Sequence, residues 1–146
     1  MSTRAQLVVE TNEGIKIYKH CDGYPSGVLP ILKKLLPKFK AARGFDAEYL
    51  TAHLSAVLIQ NSITSARAFY RRMKKKFPTD PTWANLKVTQ EYLGHGLDTK
   101  WHGDIEFAYR IKPDFSVEVW NTHHFSKSSP LKTWTLEELG KTRKFE

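Results

Sequence analysis

The chain has little cysteine and no long apolar run, and both features exclude classes of protein. Its 146 residues contain one cysteine, Cys21, which excludes an internal disulfide framework and a zinc site built from several cysteines. The longest apolar runs, such as AVLI at 56–59, fall far short of the roughly 20 residues that a membrane-spanning helix needs. The first ten residues also lack the apolar stretch of a secretory signal. We therefore expect a cytoplasmic protein that does not contact a membrane.

The sequence also lacks the short motifs of common nucleotide-binding and nucleic-acid-binding folds. Neither G-x-x-x-x-G-K-[ST] nor G-x-G-x-x-G occurs, and there is no helix-turn-helix, RRM or zinc-finger signature. Specific recognition of a base sequence is therefore not indicated. We expect no cofactor.

Positive charge is abundant and concentrated in the middle of the chain. The net charge is +8, and residues 33–76 alone contribute +9, from 11 Lys and Arg against Asp46 and Glu48. Such a field favours phosphates or acidic partners, although a solvated helix face that aids solubility has the same composition. The candidate basic surface consists of Lys33, Lys34, Arg67, Arg71, Lys74, Lys75 and Lys76.

Runs of β-branched and alternating residues near both ends of the chain predict strands. Residues 5–10 and 15–20 flank the turn TNEG, whose glycine suits a positive φ, and together they predict a hairpin. Residues 87–93, 101–111 and 115–120 are the later strand candidates. The clean alternation in the last two predicts a sheet with one buried face and one solvent face.

The apolar spacing in the middle of the chain predicts three helices. The first begins near Val28, and Pro37 should kink or end it. The second begins after the N-cap Asp46. The third covers residues 66–77 and places Phe69 and Tyr70 in the core.

The order of these elements predicts a single α+β domain over residues 1–146. We expect a mainly antiparallel sheet of about four or five strands, with two to three helices packed on one face, in the order β-β-α-α-α-β-β-β. Thr135 and Glu138 have the spacing of a capping box, which predicts a short helix near the C-terminus.

The loop YKHCDGYPSG at 18–27 places a cysteine, a histidine and an aspartate close together. Catalysis by Cys21 is disfavoured, because His20 and Cys21 would point to opposite faces of an extended strand. Two interpretations remain. The residues DGYPSG form a turn with ordinary turn chemistry, or the loop binds an anion beside the N-terminus of the following helix.

His102, Asp104 and Glu106 form a second group, because residues two apart share one face of a strand. A general acid/base set or a metal site is conceivable on this pattern. Successive residues in such a row lie about 6–7 Å apart, so one ion cannot easily bind all three. A polar solvent face is the preferred interpretation, and we expect no metal. His123 and His124 are adjacent and therefore diverge, which makes them poor joint ligands.

Three stretches, MSTRAQLVV, IYKHCDGYPSGVLPIL and HGDIEFAYRI, together resemble a family of small uncharacterised proteins encoded by bacteriophages, prophages and some bacteria. Members begin Met-Ser/Gly-Thr-Arg, then carry Tyr-x-His-x-Asp-Gly-Tyr-Pro and a later Gly-Asp-Ile-Glu-Tyr-x-Tyr strand. Phe107 departs from this pattern, since tyrosine is usual there. The resemblance covers roughly a quarter of the chain and implies a phage or mobile-element accessory protein that acts in the host cytoplasm.

The motif residues, together with His102, form the candidate ligand-binding set. We expect the motif strands to meet at one end of the sheet, where Arg4 pairs with Asp22 or Glu106 or faces an anionic ligand. A structural ion pair that pins the hairpin to the sheet is the alternative. The full set is Arg4, Tyr18, His20, Asp22, Tyr24, His102, Asp104 and Glu106.

The favoured hypothesis is a non-enzymatic protein that binds an anionic small molecule or a nucleic acid, such as a nucleotide signal, and counteracts host defence. The first alternative is a small phosphoesterase or nuclease that uses His20 or His102 with Asp104 and Glu106. The second is an inhibitor that binds a host defence protein. The favoured hypothesis assigns no catalytic residue, and no oligomeric state is predicted.

Overall fold

Six strands form one mixed sheet in the computed structural model of the chain, which describes residues 2–121 and 129–145 and, for Tyr92, the backbone alone. The strands are β1 Ala5–Val9, β2 Lys16–Lys19, β3 His95–Asp98, β4 Phe107–Ile111, β5 Val117–Asn121 and β6 Lys132–Trp134. Their order across the sheet is β3-β2-β1-β4-β5-β6. The central pair β1 and β4 is parallel, and the other four pairings are antiparallel. The predicted α+β class is confirmed, with six strands in place of four or five.

Helices account for most of the remaining regular structure. They are α1 Pro25–Arg43, α2 Ala47–Lys76, α3 Pro81–Ala84 and α4 Leu136–Lys141. Both predicted caps are confirmed, since Asp46 accepts a hydrogen bond from the Tyr49 amide and Thr135 accepts one from the Glu138 amide. Among the described residues, no helix is both long and apolar enough to cross a membrane.

Two expectations about where the helices end are corrected. α1 does not end at Pro37 but continues to Arg43. The second and third predicted helices are one helix of 30 residues, because neither glycine nor proline interrupts the chain from Ala47 to Lys76.

Three expectations about strands and turns are also corrected. Residues 87–93 contain a 3-10 turn at Gln90–Tyr92 in place of a strand. In the first hairpin Thr11, not Gly14, has the positive φ, at 73°. Of residues 101–111, only Phe107–Ile111 is a strand. The preceding residues must cross from β3 at the sheet edge over β2 and β1 to reach β4, so they cannot pair in the ladder.

The helices cover one face of the sheet and bury the main core there. Inward residues of the strands, such as Leu7, Ile17 and Tyr109, pack with α1, α2 and α4. The opposite face was expected to be open to solvent, but the crossover segment, residues 99–106, covers part of it. The buried side chain of Gln6 holds this segment, because its amide donates to the Lys100 carbonyl at 3.0 Å and accepts from the His102 amide at 2.7 Å.

Candidate functional site

A polar cluster lies on the sheet face opposite the helices, at the end where β1 begins and β2 ends. The Arg4 Nε atom is 3.3 Å from Asp104 Oδ2 and 3.4 Å from His20 Nδ1. The Tyr18 hydroxyl donates to Asp104 Oδ2 at 3.1 Å and lies 3.3 Å from His20 Nδ1. Four residues of the predicted set therefore converge: Tyr18 of β2, His20 directly after it, Arg4 before β1 and Asp104 of the crossover segment.

His102 joins this cluster and ties it to β3. Its ring stacks on Tyr18 with the centroids 4.4 Å apart. Its Nε2 atom is 2.9 Å from Asp98 Oδ2, and its Nδ1 atom is 3.9 Å from Asp104 Oδ1. The hydrogen bond with His102, with those from two backbone amides, lowers the pKa of Asp98. The predicted spacing of about 6–7 Å between His102 and Asp104 does not apply, because these residues lie in the crossover segment and not in a strand.

Three residues of the predicted set do not join the cluster. Glu106 contributes its backbone, whose amide donates to the Arg4 carbonyl at 2.8 Å, while its exposed carboxylate forms no ion pair with a described residue. Asp22 accepts a hydrogen bond at 3.0 Å from Tyr24, and this bond raises the pKa of Tyr24. The expected pairing of Arg4 with Asp22 or Glu106 is wrong, since Arg4 pairs with Asp104.

The motif loop between β2 and α1 is fixed to the sheet through Gly23. Its amide donates to the Thr3 carbonyl at 2.8 Å, and its carbonyl accepts from the buried Tyr109 hydroxyl at 2.6 Å. A Cβ atom on Gly23 would lie 2.7 Å from the Cβ atom of Ala5, so only glycine fits. Asp22 has a φ of 54° and makes the left-handed turn into this contact. Part of the Asp-Gly-Tyr-Pro motif therefore serves to hold the loop against the sheet.

A cavity of about 560 Å³ lies on the helix side of the sheet, next to the same loop. Its size falls within the range of small-molecule sites, roughly 300–1,000 Å³. Asp22 and Tyr24 belong to its wall, so the predicted set is divided between two faces of the sheet. The loop, the residues that precede and begin β3, and one stripe of α2 form the remainder, including Ser62, Phe69, Tyr70 and Arg72 of α2.

Lys19 is the charged residue that the fold buries most deeply in this wall, with 3% of its surface exposed. Its ammonium group donates to the Cys21 carbonyl, and no described carboxylate lies within 4.0 Å of it. Burial lowers the pKa of Lys19, although the nearby Asp22 charge opposes this effect. An ammonium group in this position has N–H donors left over for a further hydrogen bond and has no described carboxylate close to it. Burying a charge without a close counter-charge is costly in a protein interior.

His95 faces the same cavity from β3. Its Nε2 atom is 2.7 Å from Ser62 Oγ, and its buried Nδ1 atom has no hydrogen-bond partner of ordinary geometry in the described part of the chain. Burial, with a smaller contribution from Lys19, lowers the pKa of His95 to about 4, so the ring is neutral near pH 7. The prediction from sequence missed Lys19, Arg72 and His95. The one available signal was that Lys19 lies two residues after Ile17 and therefore shares the inward face of β2 with it.

The predicted basic surface is in large part the second half of α2. The last buried residue of α2 is Ile63, and beyond it Arg67, Arg71, Lys74, Lys75 and Lys76 are exposed. Lys33 instead donates to the Thr142 carbonyl at 2.8 Å, and Lys34 is exposed on α1.

The expectation that Phe69 and Tyr70 lie in the core is wrong. Phe69 is 44% exposed and stands at the edge of the cavity, where it and Tyr70 pack against Trp83 of α3. This packing forms a small aromatic group outside the main core.

Searches for related proteins return no match. No protein-family model matches the chain, and neither the curated proteins nor the solved structures include a significant relative. His123 and His124 lie outside the described residues. Among the residues that are described, no group of three or more His, Cys, Asp or Glu side chains is placed to hold a metal ion.

Proposed function

We propose that this protein binds an anionic small molecule that carries a flat ring, such as a nucleotide, in the cavity beside α2. The observation that carries the proposal is the buried Lys19 ammonium in the cavity wall. A phosphate group would supply the counter-charge that this ammonium lacks, through a charge-assisted hydrogen bond. The cavity wall contains two cations, Lys19 and Arg72, and one anion, Asp22. Since His95 is neutral, the formal charge of the wall is positive.

The rest of the wall suits the other parts of such a ligand. Phe69 and Tyr70 offer aromatic surfaces for a base, and Ser62 offers a hydroxyl for a ring nitrogen or a sugar. The backbone at Tyr24 and Gly27 begins α1, whose first turn contains no acidic residue and whose N-cap makes no side-chain hydrogen bond. Pro25 has no N–H, and the Gly27 and Val28 amides donate to the Tyr24 carbonyl, so this helix end adds to the attraction for an anion chiefly through the helix dipole.

The polar cluster on the opposite face supports an enzyme less well than the cavity supports a binding protein. Both ring nitrogens of His102 face carboxylates, and His20 Nδ1 faces Arg4 and Tyr18. A general base needs a free nitrogen within reach of a substrate proton, and of the four ring nitrogens here only His20 Nε2 makes no contact with a described polar group. We assign this cluster to holding the crossover segment on the sheet.

The resemblance of the motif stretches to phage and prophage proteins supports a setting for this activity. A small protein that binds a nucleotide signal without consuming it would lower the free concentration of that signal. The proposed role is therefore that of a phage or mobile-element accessory protein that counteracts a nucleotide-dependent host defence. The alternative hypothesis, direct inhibition of a host defence protein, would not require a cavity of this size.

Calorimetric titration with the nucleoside 5′-monophosphates tests this proposal. We expect at least one monophosphate to bind, and its nucleoside and inorganic phosphate alone to bind more weakly. The Lys19→Met variant keeps the length of the side chain and removes its charge. It should lose affinity by about tenfold or more, because hydrogen bonds to charged groups contribute roughly 1.5–3 kcal/mol.

The matched control is Lys38→Met, which removes an exposed lysine of α1. Lys38 lies 11 residues after Gly27 of the cavity wall, so the affinity should be unchanged. Circular dichroism would establish that both variants are folded. Absence of binding by every monophosphate at millimolar concentration, or equal affinities of wild type and Lys19→Met, would contradict the proposal.

A further inference from the structure

We propose that the cavity also accepts the end of a single-stranded nucleic acid, whose following phosphates lie along the second half of α2. This inference rests on the proposed function, because it places one terminal nucleotide in the cavity. It adds a polymer and a second surface, which a free nucleotide would not need.

The cavity and the basic surface share one stripe of α2. Phe69 and Arg72 belong to the cavity wall, and Lys76 lies one helical turn beyond Arg72, about 6 Å further along the axis. Because residues four apart in a helix are neighbours on its surface, this stripe leads from the cavity rim to the exposed end of α2. A ligand seated in the cavity therefore has a continuous path onto the cationic surface.

The cations on the second half of α2 exceed what one nucleotide requires. Arg72 and Lys76 continue the stripe that begins in the cavity. Arg67, Arg71 and Lys74 lie on the other side of the helix. Six of the ten residues from Arg67 to Lys76 are Lys or Arg, and none of them forms an ion pair with any residue that the structure describes. Like charges four residues apart, as at Arg67 and Arg71, repel and destabilise the helix. A nucleoside monophosphate carries a single phosphate group, whereas a strand presents a phosphate at every nucleotide and can neutralise several cations at once.

Exposed aromatic rings accompany these cations and favour an unpaired strand. Phe69 is 44% exposed and Phe77 is 40% exposed. The guanidinium of Arg72 is 6.0 Å from the Phe69 ring centroid, and Lys76 Nζ is 5.4 Å from that of Phe77. Alternating rings and cations are the ordinary means of binding single strands without sequence preference, since bases stack on the rings while the cations contact phosphates. A duplex offers no unpaired base for the cavity.

Fluorescence anisotropy with mixed-sequence octamers of single-stranded DNA and RNA, each 5′-phosphorylated and labelled at the 3′ end, tests this inference. We expect at least one octamer to bind about tenfold or more tightly than the matching mixture of monophosphates at low salt. Its affinity should fall with rising salt. The triple variant Lys74→Glu, Lys75→Glu, Lys76→Glu should reduce octamer affinity by about tenfold or more and lower the salt slope by about two, at roughly 0.7 per phosphate contact.

The two proposals fail differently in this experiment. The triple variant leaves the cavity residues in place, so monophosphate affinity should stay within about twofold of wild type. Octamers that bind no more tightly than monophosphates, or a duplex that binds as tightly as the single strand, would overturn the inference while the nucleotide site stands. If monophosphates and octamers both fail to bind, both proposals are overturned.

Discussion

At the scale of single residues, the pairing of β2 with β3 depends on one glycine of the tripeptide Gly94-His95-Gly96. The His20 amide donates to the Gly94 carbonyl at 2.9 Å. A Cβ atom on Gly94 would lie 2.4 Å from the Cβ atom of His20, which backbone geometry fixes, whereas one on Gly96 would meet nothing within 4 Å. A side chain at position 94 would therefore clash with His20, whereas a side chain at position 96 would be accommodated.

Gly94→Ala should lower the free energy of unfolding by about 1–3 kcal/mol, the usual cost of overpacking a site that cannot relax. Gly96→Ala is the matched control. It should be neutral or stabilising by about 0.5–1 kcal/mol, because alanine loses less conformational entropy than glycine in a strand. Urea unfolding of the two variants measures both effects. Equal stabilities of Gly94→Ala and Gly96→Ala would contradict the predicted contact.

The sequence allowed the motif half of the candidate site to be predicted better than the cavity half. Arg4, Tyr18, His20 and Asp104 do lie together, because the start of β1, the end of β2 and the end of the crossover segment before β4 meet at one end of the sheet. Lys19 and His95 could not be recognised as cavity residues, since their burial depends on where α2 crosses the sheet. Asp98 was missed for a similar reason, because its contact with His102 depends on the crossover segment.

At the scale of secondary-structure elements, Gln6 is the fully buried side chain among those that hold the crossover segment to the sheet. It uses both ends of its amide, with the Lys100 carbonyl and the His102 amide as partners. Buried polar groups that lose their partners cost about 1–3 kcal/mol each. The polar cluster depends on this contact, because His102 and Asp104 belong to the segment.

Gln6→Leu should therefore lower the free energy of unfolding by about 2–4 kcal/mol, since it leaves two backbone groups of the crossover segment without partners. Hydrogen exchange of the His102 amide should become faster than in wild type, and urea unfolding gives the change in stability. The exposed Gln60 of α2 provides the control, and Gln60→Leu should change neither quantity. Unaltered exchange at His102 in the Gln6→Leu variant would contradict this role.

The same segment explains why part of the fold could not be predicted. Residues 101–106 alternate as a strand does, but local periodicity does not reveal whether a partner strand lies within reach. The sheet order places β3 and β4 on opposite sides of the β1–β2 hairpin, so the connection must cross over it. The α+β class depends on the succession of apolar patterns alone, and it was predicted correctly.

At the scale of the whole molecule, β2 connects the two sites through the sheet. Tyr18 and His20 face the polar cluster, and Lys19 between them faces the cavity. Lys19 is paired in register with His95 on β3. Because alternate residues of a strand point to opposite faces, one short run of the motif supplies both sites. Binding in the cavity should therefore also stabilise the strand that carries the polar cluster.

The partly buried His95 should make the stability of the molecule depend on pH. Burial lowers its pKa in the folded chain to about 4, from an ordinary value of 6.5. Between these values the unfolded chain binds a proton at His95 that the folded chain does not. The free energy of unfolding should thus be highest above about pH 6.5 and fall towards pH 4, with this residue contributing on the order of 1–2 kcal/mol of the loss after screening by solvent.

Urea unfolding at several pH values between 4 and 7 would measure this loss in wild type and in His95→Gln. Glutamine keeps a hydrogen-bonding group near Ser62 but does not titrate, so the variant should show a shallower dependence on pH. His53→Gln changes an exposed histidine of α2 and should retain the wild-type profile. A bound monophosphate should also flatten the wild-type profile, because a phosphate beside His95 favours the protonated ring. Identical profiles of wild type and His95→Gln would contradict the assignment.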